Sequence, residues 1–590
     1  MDTKKCKWLI VIALILIIGG GLLAYLIQTS GGTIKIKDIR FKASNGKMVS
    51  ALLYIPAGVS KEKPAPGIVA THGYINSRET QDGFAIEFAR RGYVVLAVDQ
   101  TGHGFSDPPA FAQGFGGMDS LAYLRTLDIV DLDNIGLEGH SMGGWASVVA
   151  AATNPKGYKA VVLASSSTGT FGIPEGTETF PRNTALIFSK YDEFSQLMWG
   201  AAIPADIVKT DKLKKLFGTT EDVEVGKLYG SIEKGTARKL YQPPIIHPRV
   251  HFSQEGIGNA VEWMQMTLKG GKDIPVSSQI WYWKEIGTFI AMLGMLLLIF
   301  PLGQLLLQTK FFKEISEKPA QIKSANGFGW WVGAVLTVLI PLPVFLWAIG
   351  YSAPEKLNPT ALFAQINTTV IMMWACTVAV ISLILFILWH VFFNRKKKAS
   401  FVNYGVTWKN KGLDFKKIGK SFLLALIICV AAYLTLLFSH LVFTTDYRLW
   451  VFAIKPMTLL HFRIFLSYLI PFAFYFLIIG MILHGELRCG KKGELKAWQE
   501  MLINIFLLIT AYIIFETLGY LPFFAGGTLA IPEAALWYIV MFQFFPIFTI
   551  VALISTYFYR KTGHIYTGAF LNAMLITWII VAGQATHFAF

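Results

Sequence analysis

The sequence has 590 residues, of which 54% are hydrophobic, and it carries a formal net charge of +16 at neutral pH. A mean hydropathy of +0.49 is too high for a protein made only of soluble domains, so we expect part of the chain to lie in a membrane. A basic chain could bind nucleic acid, but the positions of its basic residues, described below, argue against that interpretation.

The chain contains four cysteines: Cys6, Cys376, Cys429 and Cys489. None lies between residues 31 and 283, so this segment cannot contain an internal disulfide. The cysteine and histidine spacings match no metal-binding pattern, and the sequence predicts neither a metal nor an organic cofactor.

An uncharged apolar run, Trp8 to Ile27, follows three lysines close to the N-terminus. At about 1.5 Å per residue this run is long enough to cross a bilayer as a helix. A signal peptide is the alternative, but no Ala-x-Ala cleavage site follows, so we expect residues 1–30 to form an uncleaved anchor. Lysines before the span predict that the N-terminus is cytoplasmic.

Residues 31–283 are polar and rich in turns, and short β-type runs alternate in them with helical patterns. This alternation predicts an α/β fold in which helices cover both faces of a mostly parallel sheet. A segment of about 250 residues is long enough for one such domain. The predicted strands cover residues 33–41, 49–55, 67–72, 93–99, 134–137, 160–164, 185–189 and 239–241.

Residues 284–590 contain eight further apolar runs, each longer than a core helix of a soluble protein. We therefore expect a polytopic all-α bundle of about eight transmembrane helices in this part of the chain. The runs cover residues 286–307, 328–350, 365–393, 422–443, 464–484, 502–523, 535–558 and 566–588.

Basic residues concentrate in alternate loops between these runs, namely residues 4–7, 310–323, 395–420, 488–496 and 560–561. All five segments face the cytoplasm if the N-terminus does, in agreement with the positive-inside rule. The same topology puts residues 31–283 outside the cytoplasm, in a multi-pass protein of the cell membrane. The net charge therefore indicates membrane topology, and the partner it predicts is the lipid bilayer and not nucleic acid.

The pentapeptide Gly139-His140-Ser141-Met142-Gly143 lies between a predicted strand and a helical run of small residues. A Gly-x-Ser-x-Gly sequence in this setting forms a sharp strand-to-helix turn that presents a nucleophilic serine. A tight turn in a non-catalytic α/β protein is the alternative interpretation. We predict that Ser141 is a nucleophile.

A serine hydroxyl needs a base, and the base needs a carboxylate that orients it. After a nucleophile elbow the chain order is serine, acid, histidine. Asp192 follows the seventh predicted strand and is the expected acid, with Glu193 as the alternative. Two histidines follow, and we favour His251 as the base because it comes two residues before Ser253, the expected N-cap of the last helix. His247 is the alternative base.

The oxyanion formed during acyl transfer needs backbone N–H donors. One is expected from Met142, which follows the nucleophile at the N-terminus of its helix. The loop after the third predicted strand should supply the other, and Tyr74 is the expected donor there.

Residues 31 to about 270 resemble the α/β-hydrolase superfamily, above all its dienelactone-hydrolase and prolyl-oligopeptidase-like branches. The resemblance implies acyl transfer to water through an acyl-serine, with the catalytic histidine a few residues before the final helix. That placement fits His251 better than His247. The motifs that carry the resemblance are His72-Gly73, Asp99 with Gly102-His103-Gly104-Phe105-Ser106, Gly139 to Gly144, and the late pair Asp192 and His251.

The sequence thus predicts a membrane-embedded serine hydrolase that cleaves ester, thioester or amide bonds at the outer membrane surface. Small-molecule, lipid or peptide acyl compounds are the expected substrates, because this fold does not fix the substrate. An acyltransferase with the same triad is one alternative. A transporter or sensor whose outer domain binds a ligand without cleaving it is the other.

Overall fold

The computed structural model describes residues 2–323, 327–352, 356–409, 411–488 and 495–590. Cys489 and most of the basic segment 488–496 lie outside these ranges. The described chain begins with a long apolar helix, α1 (Thr3–Gln28), continues as an α/β domain and ends in a helical region. The fold class predicted from the sequence is confirmed.

One nine-stranded sheet forms the centre of the α/β domain. Its strands are β1 (Ile34–Lys42), β2 (Met48–Pro56), β3 (Ala65–Thr71), β4 (Val94–Val98), β5 (Val130–His140), β6 (Ala160–Ala164), β7 (Thr184–Ile187), β8 (Leu228–Tyr229) and β9 (Arg238–Tyr241). Their order in space is β1-β2-β4-β3-β5-β6-β7-β9-β8. The run from β4 to β9 is parallel, while β1, β2 and β8 are antiparallel to their neighbours.

Helices cover both faces of this sheet, so β4 and β6 are apolar throughout. The helices are α2 (Asp82–Arg90), α3 (Gly117–Leu124), α4 (Met142–Thr153), α5 (Ser195–Trp199), α6 (Asp211–Phe217) and α7 (Gln254–Thr267). Successive side chains of a strand point to opposite faces. In β2, Leu53 packs in the core that holds α3 and α4, whereas Leu52 packs in the core that holds α2 and α7.

The helical region follows directly. It comprises α8 (Trp281–Leu307), α9 (Phe328–Leu339), α10 (Pro341–Ile349), α11 (Ile366–Trp389), α12 (Phe415–Phe443), α13 (Leu459–Met481), α14 (Ala497–Phe524), α15 (Ala535–Met541), α16 (Phe544–Thr562) and α17 (Tyr566–Gly583). By length and composition, the described residues contain eight helices that could cross a membrane, α1 included. A ninth results if Pro532–Met541 and Phe544–Thr562, bent by 41°, count as one span. The predicted span 535–558 is therefore broken by this bend.

The N-terminal helix packs tightly against α8. A Cβ added to Gly287 would lie 2.7 Å from the Gly20 carbonyl oxygen, and one on Gly294 would lie 2.7 Å from the Ala13 carbonyl oxygen. Small residues allow helix backbones to approach this closely in a membrane. Because α8 begins at Trp281, the predicted domain boundary at residue 283 falls in its first turn.

A two-stranded hairpin, β10 (Tyr447–Leu449) and β11 (Phe452–Ile454), connects α12 to α13. It carries Arg448 and Trp450, both of which reach the α/β domain. The C-terminal residues after α17 also reach this domain, where Thr586 is hydrogen-bonded to Gly102 and Ala110. The hairpin and these residues therefore lie between the helices and the carboxyl edge of the parallel strands.

Candidate active site

Ser141 occupies a strained turn between β5 and α4. Its φ of 55° and ψ of −123° lie in a region that residues with a side chain rarely adopt. The flanking glycines are required by close contacts: a Cβ on Gly143 would lie 2.0 Å from the Thr71 carbonyl oxygen, and one on Gly139 would lie 2.1 Å from the Gly143 carbonyl oxygen. The turn therefore has the backbone geometry of a nucleophile elbow.

Asp192 is hydrogen-bonded to a histidine, as expected of an orienting acid. The Nδ1 atom of His247 lies 2.9 Å from Oδ1 and 3.0 Å from Oδ2 of Asp192. The Phe194 backbone N–H also donates to Oδ1, at 3.0 Å, which holds the carboxylate in place. Both members of the pair are buried, with Asp192 fully covered and His247 3% exposed.

Strand order explains why these two residues meet. β7 and β9 are parallel neighbours, and their pairing continues beyond the strand ends through a bridge between Tyr191 and Ile246. Each member of the pair comes directly after a bridging residue, Asp192 after Tyr191 and His247 after Ile246. The two side chains thus project from adjacent strand ends at the same edge of the sheet.

The preference for His251 does not agree with this geometry. His251 lies in a short 3₁₀ helix, His247–Phe252, and its ring packs edge-on against His140 with centroids 5.0 Å apart. Neither of its ring nitrogens has a hydrogen-bond partner among the described residues. Burial lowers the pKa of His251 to about 3, so the ring is neutral. Ser253 does cap α7 as predicted, but the 3₁₀ helix before it carries His251 away from the acid.

Glu193, the alternative acid, contacts the backbone and not the imidazole of His247. Its Oε2 accepts the His247 backbone N–H at 2.8 Å, and its Oε1 accepts the hydroxyl of Tyr520 at 2.6 Å. Burial, together with the neighbouring Asp192 carboxylate, raises the pKa of Glu193 to about 7. The side chain therefore supports the loop that carries His247.

The ring of His247 is fixed on both sides. Phe194 meets it edge-on at a centroid distance of 4.7 Å, and the ring of His140 lies 4.9 Å away. The Nε2 of His140 lies 3.1 Å from the His247 carbonyl oxygen, which can only accept, so His140 donates from this nitrogen. Burial opposes the charged form of His247, but the carboxylates of Asp192 and Glu193 together outweigh it and raise the pKa of His247.

Met142, one expected oxyanion donor, follows Ser141 directly in the chain, and the loop of Tyr74, the other, lies beside Ser141 in space. Met142 is the first residue of α4, so its N–H has no acceptor within the helix. The loop that carries Tyr74 lies directly against the serine, because a Cβ on Gly73 would be 3.1 Å from the Ser141 Cβ. The oxyanion roles of Tyr74 and Met142 stay predictions that this arrangement allows.

Helical-region residues cover much of the edge of the sheet that carries these groups. The Tyr74 hydroxyl lies 2.9 Å from Nε2 of His587, and the indole N–H of Trp450 donates to the Pro248 carbonyl at 2.7 Å. Backbone hydrogen bonds of 2.8 Å join Thr586 to Gly102 and Ala110. The candidate site therefore lies at the contact between the two halves of the chain, and the sequence motifs gave no sign of this.

Buried charges reinforce that contact. Arg448 is 2% exposed and donates to Asp446 at 2.6 Å, to Thr80 at 2.9 Å and to Ser77 at 3.2 Å. Ser77 and Thr80 belong to the α/β domain, so this one guanidinium joins the hairpin to it. A buried charge of this kind is tolerated only when it is paired and hydrogen-bonded.

A strip of aromatic side chains leads from the nucleophile turn to the surface. Successive rings of this aromatic strip have centroids 5.2 to 6.5 Å apart, and Phe171 at its outer end is 72% exposed. Three of its phenylalanines have positive φ angles, between 50° and 69°, which is costly for a residue with a side chain. The strip consists of Tyr74, Phe111, Phe115, Trp145 and Phe171.

Comparisons with known proteins agree with this fold. The family model described as the alpha/beta hydrolase fold matches residues 66–222. A putative non-heme haloperoxidase of Mycobacterium phage D29 is 31% identical over 112 residues, which are 19% of this chain and 40% of that protein. A 2-hydroxy-6-oxononadienedioate/2-hydroxy-6-oxononatrienedioate hydrolase of Cupriavidus pinatubonensis is 36% identical over 78 residues, 13% of this chain and 27% of that protein.

A third relative is acyltransferase drtE of Aspergillus calidoustus, 28% identical over 163 residues, 26% of this chain and 50% of that protein. The chain thus spans half or less of the length of these curated relatives. Together with the sheet and the elbow, the family match shows that the chain contains an α/β-hydrolase domain.

Proposed function

We propose that this α/β-hydrolase domain is a serine hydrolase in which Ser141 is the nucleophile, His247 the base and Asp192 the orienting acid. The observation that carries the proposal is the combination of the strained Ser141 turn with a buried, hydrogen-bonded Asp192–His247 pair at the same sheet edge. His247 replaces His251, which the sequence favoured, since only His247 has the acid beside it.

In the proposed reaction the Ser141 hydroxyl attacks an ester, thioester or amide carbonyl while Nε2 of His247 takes the hydroxyl proton. Asp192 holds the Nδ1–H of His247 and stabilises the imidazolium that forms. The N–H groups of Met142 and Tyr74 stabilise the oxyanion. His247 then gives its proton to the leaving group, which departs and leaves an acyl-serine. Water, deprotonated by His247, hydrolyses this intermediate.

The long apolar helices support a multi-pass membrane location for the enzyme. With the N-terminus cytoplasmic, the hydrolase domain lies on the outer side of the membrane, as the basic loops predict. The aromatic strip, which begins at Tyr74 and includes Trp145 of α4, favours substrates with an apolar acyl group. No step of the proposed reaction uses a metal or an organic cofactor.

The proposal is tested on the full chain in detergent with a fluorophosphonate probe, which reacts with activated serines. We expect the wild type to be labelled and Ser141→Ala not to be labelled. Ser147→Ala is the matched control, because Ser147 lies on α4 and donates to the Gly143 carbonyl at 3.1 Å, away from the proposed chemistry. Absence of labelling in the folded wild type would overturn the proposal and favour a domain that binds its ligand without cleaving it.

An acyltransferase with the same triad is the second candidate, and the match to acyltransferase drtE favours it. In that reaction an alcohol or amine replaces water as the acceptor for the acyl-serine. Product analysis of a p-nitrophenyl ester reaction with added glycerol distinguishes the two. Free acid as the main product indicates a hydrolase, whereas a glycerol ester indicates a transferase.

A further inference from the structure

The loop that carries His247 is held by donors from a distant part of the chain. His247 begins a short 3₁₀ helix between β9 and α7, outside the regular hydrogen bonding of the sheet. Trp450, at the tip of the hairpin, donates its indole N–H to the Pro248 carbonyl at 2.7 Å. Tyr520, in α14, donates to Glu193 at 2.6 Å, and Glu193 accepts the His247 backbone N–H at 2.8 Å.

The hydrogen bond from Tyr520 to Glu193 is buried and stabilises the negative charge of the Glu193 carboxylate. Glu193 is 7% exposed and lies next to Asp192 in the chain, so its ionised form needs donors. Tyr520 and the His247 backbone N–H each supply one, on separate carboxylate oxygens. Without the Tyr520 hydroxyl, Glu193 loses one of these partners and is protonated more easily.

Trp450, which donates to the Pro248 carbonyl, has a strained backbone conformation. Trp450 has a φ of 53°, in a two-residue turn between β10 and β11. Hairpin turns of this length favour asparagine and glycine at positive φ, because a bulky side chain is costly there. Its ring packs against Phe542 with centroids 5.1 Å apart, and its indole N–H reaches Pro248, the residue after His247.

We infer that Tyr520 and Trp450 of the helical region are positioning residues that hold His247 in its catalytic place. The inference rests on the proposed function, since it assigns a role toward the base of that reaction. Tyr520 acts through Glu193 on the backbone N–H of His247, and Trp450 acts on the neighbouring peptide group. The helical region would then be part of the enzyme and not only its anchor.

The test uses full-length protein in detergent, with p-nitrophenyl octanoate as substrate and the fluorophosphonate as active-site probe. Tyr520→Phe removes one donor and keeps the ring, and Trp450→Phe removes the other donor and leaves a smaller aromatic ring in its place. Tyr512→Phe is the matched control, because Tyr512 lies two turns earlier on α14 and has ring contacts with Phe544 and Phe548 instead. The measurements are kcat, KM, the labelling rate and the pH profile of kcat/KM.

We expect Tyr520→Phe and Trp450→Phe each to lower kcat roughly tenfold with little change in KM, because a displaced base slows chemistry more than binding. Tyr512→Phe should match the wild type.

The groups that face His247 are Asp192, Glu193, His140 and His251, with Glu516 behind Glu193. In Tyr520→Phe, Glu193 is neutral more often, so it raises the pKa of His247 less. The acid limb of the kcat/KM profile of Tyr520→Phe should therefore move to lower pH.

Wild-type kcat in both variants, with an unchanged acid limb in Tyr520→Phe, would overturn the inference, as would an equal loss in Tyr512→Phe. If Tyr520→Phe does not yield folded protein, kcat and KM of Trp450→Phe decide. Failure of the proposed function looks different, because the wild type itself would then be unlabelled or Ser141→Ala would still be labelled.

Discussion

At the scale of single residues, the proposed chemistry depends on conformations that are costly for the side chains concerned. Ser141 is held at positive φ, and His247 is buried beside a carboxylate. His251, four residues away, is also buried, but no described carboxylate is hydrogen-bonded to it. Its nitrogens lack hydrogen-bond partners in the described chain, so it contributes packing against His140.

The first prediction separates the two histidines. His247→Ala should lower kcat/KM for a p-nitrophenyl ester by about 10³-fold or more, because the base is lost. His251→Ala should keep kcat/KM within about fivefold, while the cavity it leaves lowers the free energy of unfolding by about 1–3 kcal/mol. Ester hydrolysis and thermal unfolding of both full-length variants check this. The opposite ranking in hydrolysis would restore His251 as the base.

The second prediction concerns backbone strain at the elbow. Glycine adopts the φ of 55° at lower cost than alanine. Ser141→Gly should therefore be more stable than Ser141→Ala by about 1 kcal/mol, although neither variant reacts with the fluorophosphonate. Denaturant unfolding of the two variants, compared in the same detergent, measures the difference. Equal stability would show that the turn costs an alanine nothing.

The third prediction concerns pH. His247 acts as a base only when neutral, and Asp192 raises the pKa of His247. The rate of fluorophosphonate labelling should therefore rise with pH through a value above the ordinary histidine pKa of about 6.5. Asp192→Asn should slow labelling strongly and move this limb to lower pH. Asp206→Asn, which removes only a surface partner of Lys209, should leave the profile unchanged.

At the scale of secondary-structure elements, close contacts explain what the sequence could predict. Gly139 and Gly143 lie where a Cβ would overlap backbone oxygens, so a short stretch of sequence is enough to predict the sharp turn. The choice of His247 depends instead on β9 lying next to β7, a pairing between distant segments. Tyr520 lies 327 residues from Glu193, and no local pattern marks that contact. Local sequence therefore predicts the fold and the sharp turn at Ser141 well and the surroundings of His247 poorly.

The fourth prediction belongs to the hairpin that carries Arg448. Arg448→Met leaves the buried Asp446 without its cation and removes the donors to Ser77 and Thr80. The free energy of unfolding should fall by about 3–5 kcal/mol, as when one partner of a buried ion pair is removed. Arg40→Met is the control, because Arg40 and Asp107 form an exposed pair worth less than about 1 kcal/mol. Similar losses in both variants would contradict the special role of the hairpin.

At the scale of the whole molecule, the two halves share one site. Tyr74 and Pro248 of the hydrolase domain and His587 and Trp450 of the helical region meet at the sheet edge that holds Ser141. The α/β domain thus has its own sheet and cores, but the sheet edge that carries the candidate site is in contact with the helical region. The helical region therefore contributes contacts to this edge as well as candidate membrane spans.

The fifth prediction follows from that shared site. Residues 31–283 expressed alone should expose apolar side chains that the helices cover, among them Tyr191, which packs against Phe523 and Phe524. We expect the fragment to self-associate and to hydrolyse p-nitrophenyl esters at least about tenfold more slowly than the full chain. Light scattering and kinetics measure both. A monomeric fragment with full activity would show that the helical region adds nothing to the site.

The contact between α1 and α8 also has a consequence for how the chain is assembled. These two helices meet through Gly20, Gly287 and Gly294, while the entire hydrolase domain lies between them in the chain. In topological terms the α/β domain is the loop of a helical hairpin, and both ends of the domain are fixed where α1 packs against α8. The packing of α1 against α8, and not the α/β domain itself, thus fixes the positions of the two ends of the domain. A short flexible linker could therefore replace the domain and still let the hairpin close, and a different domain with neighbouring termini could occupy the same position.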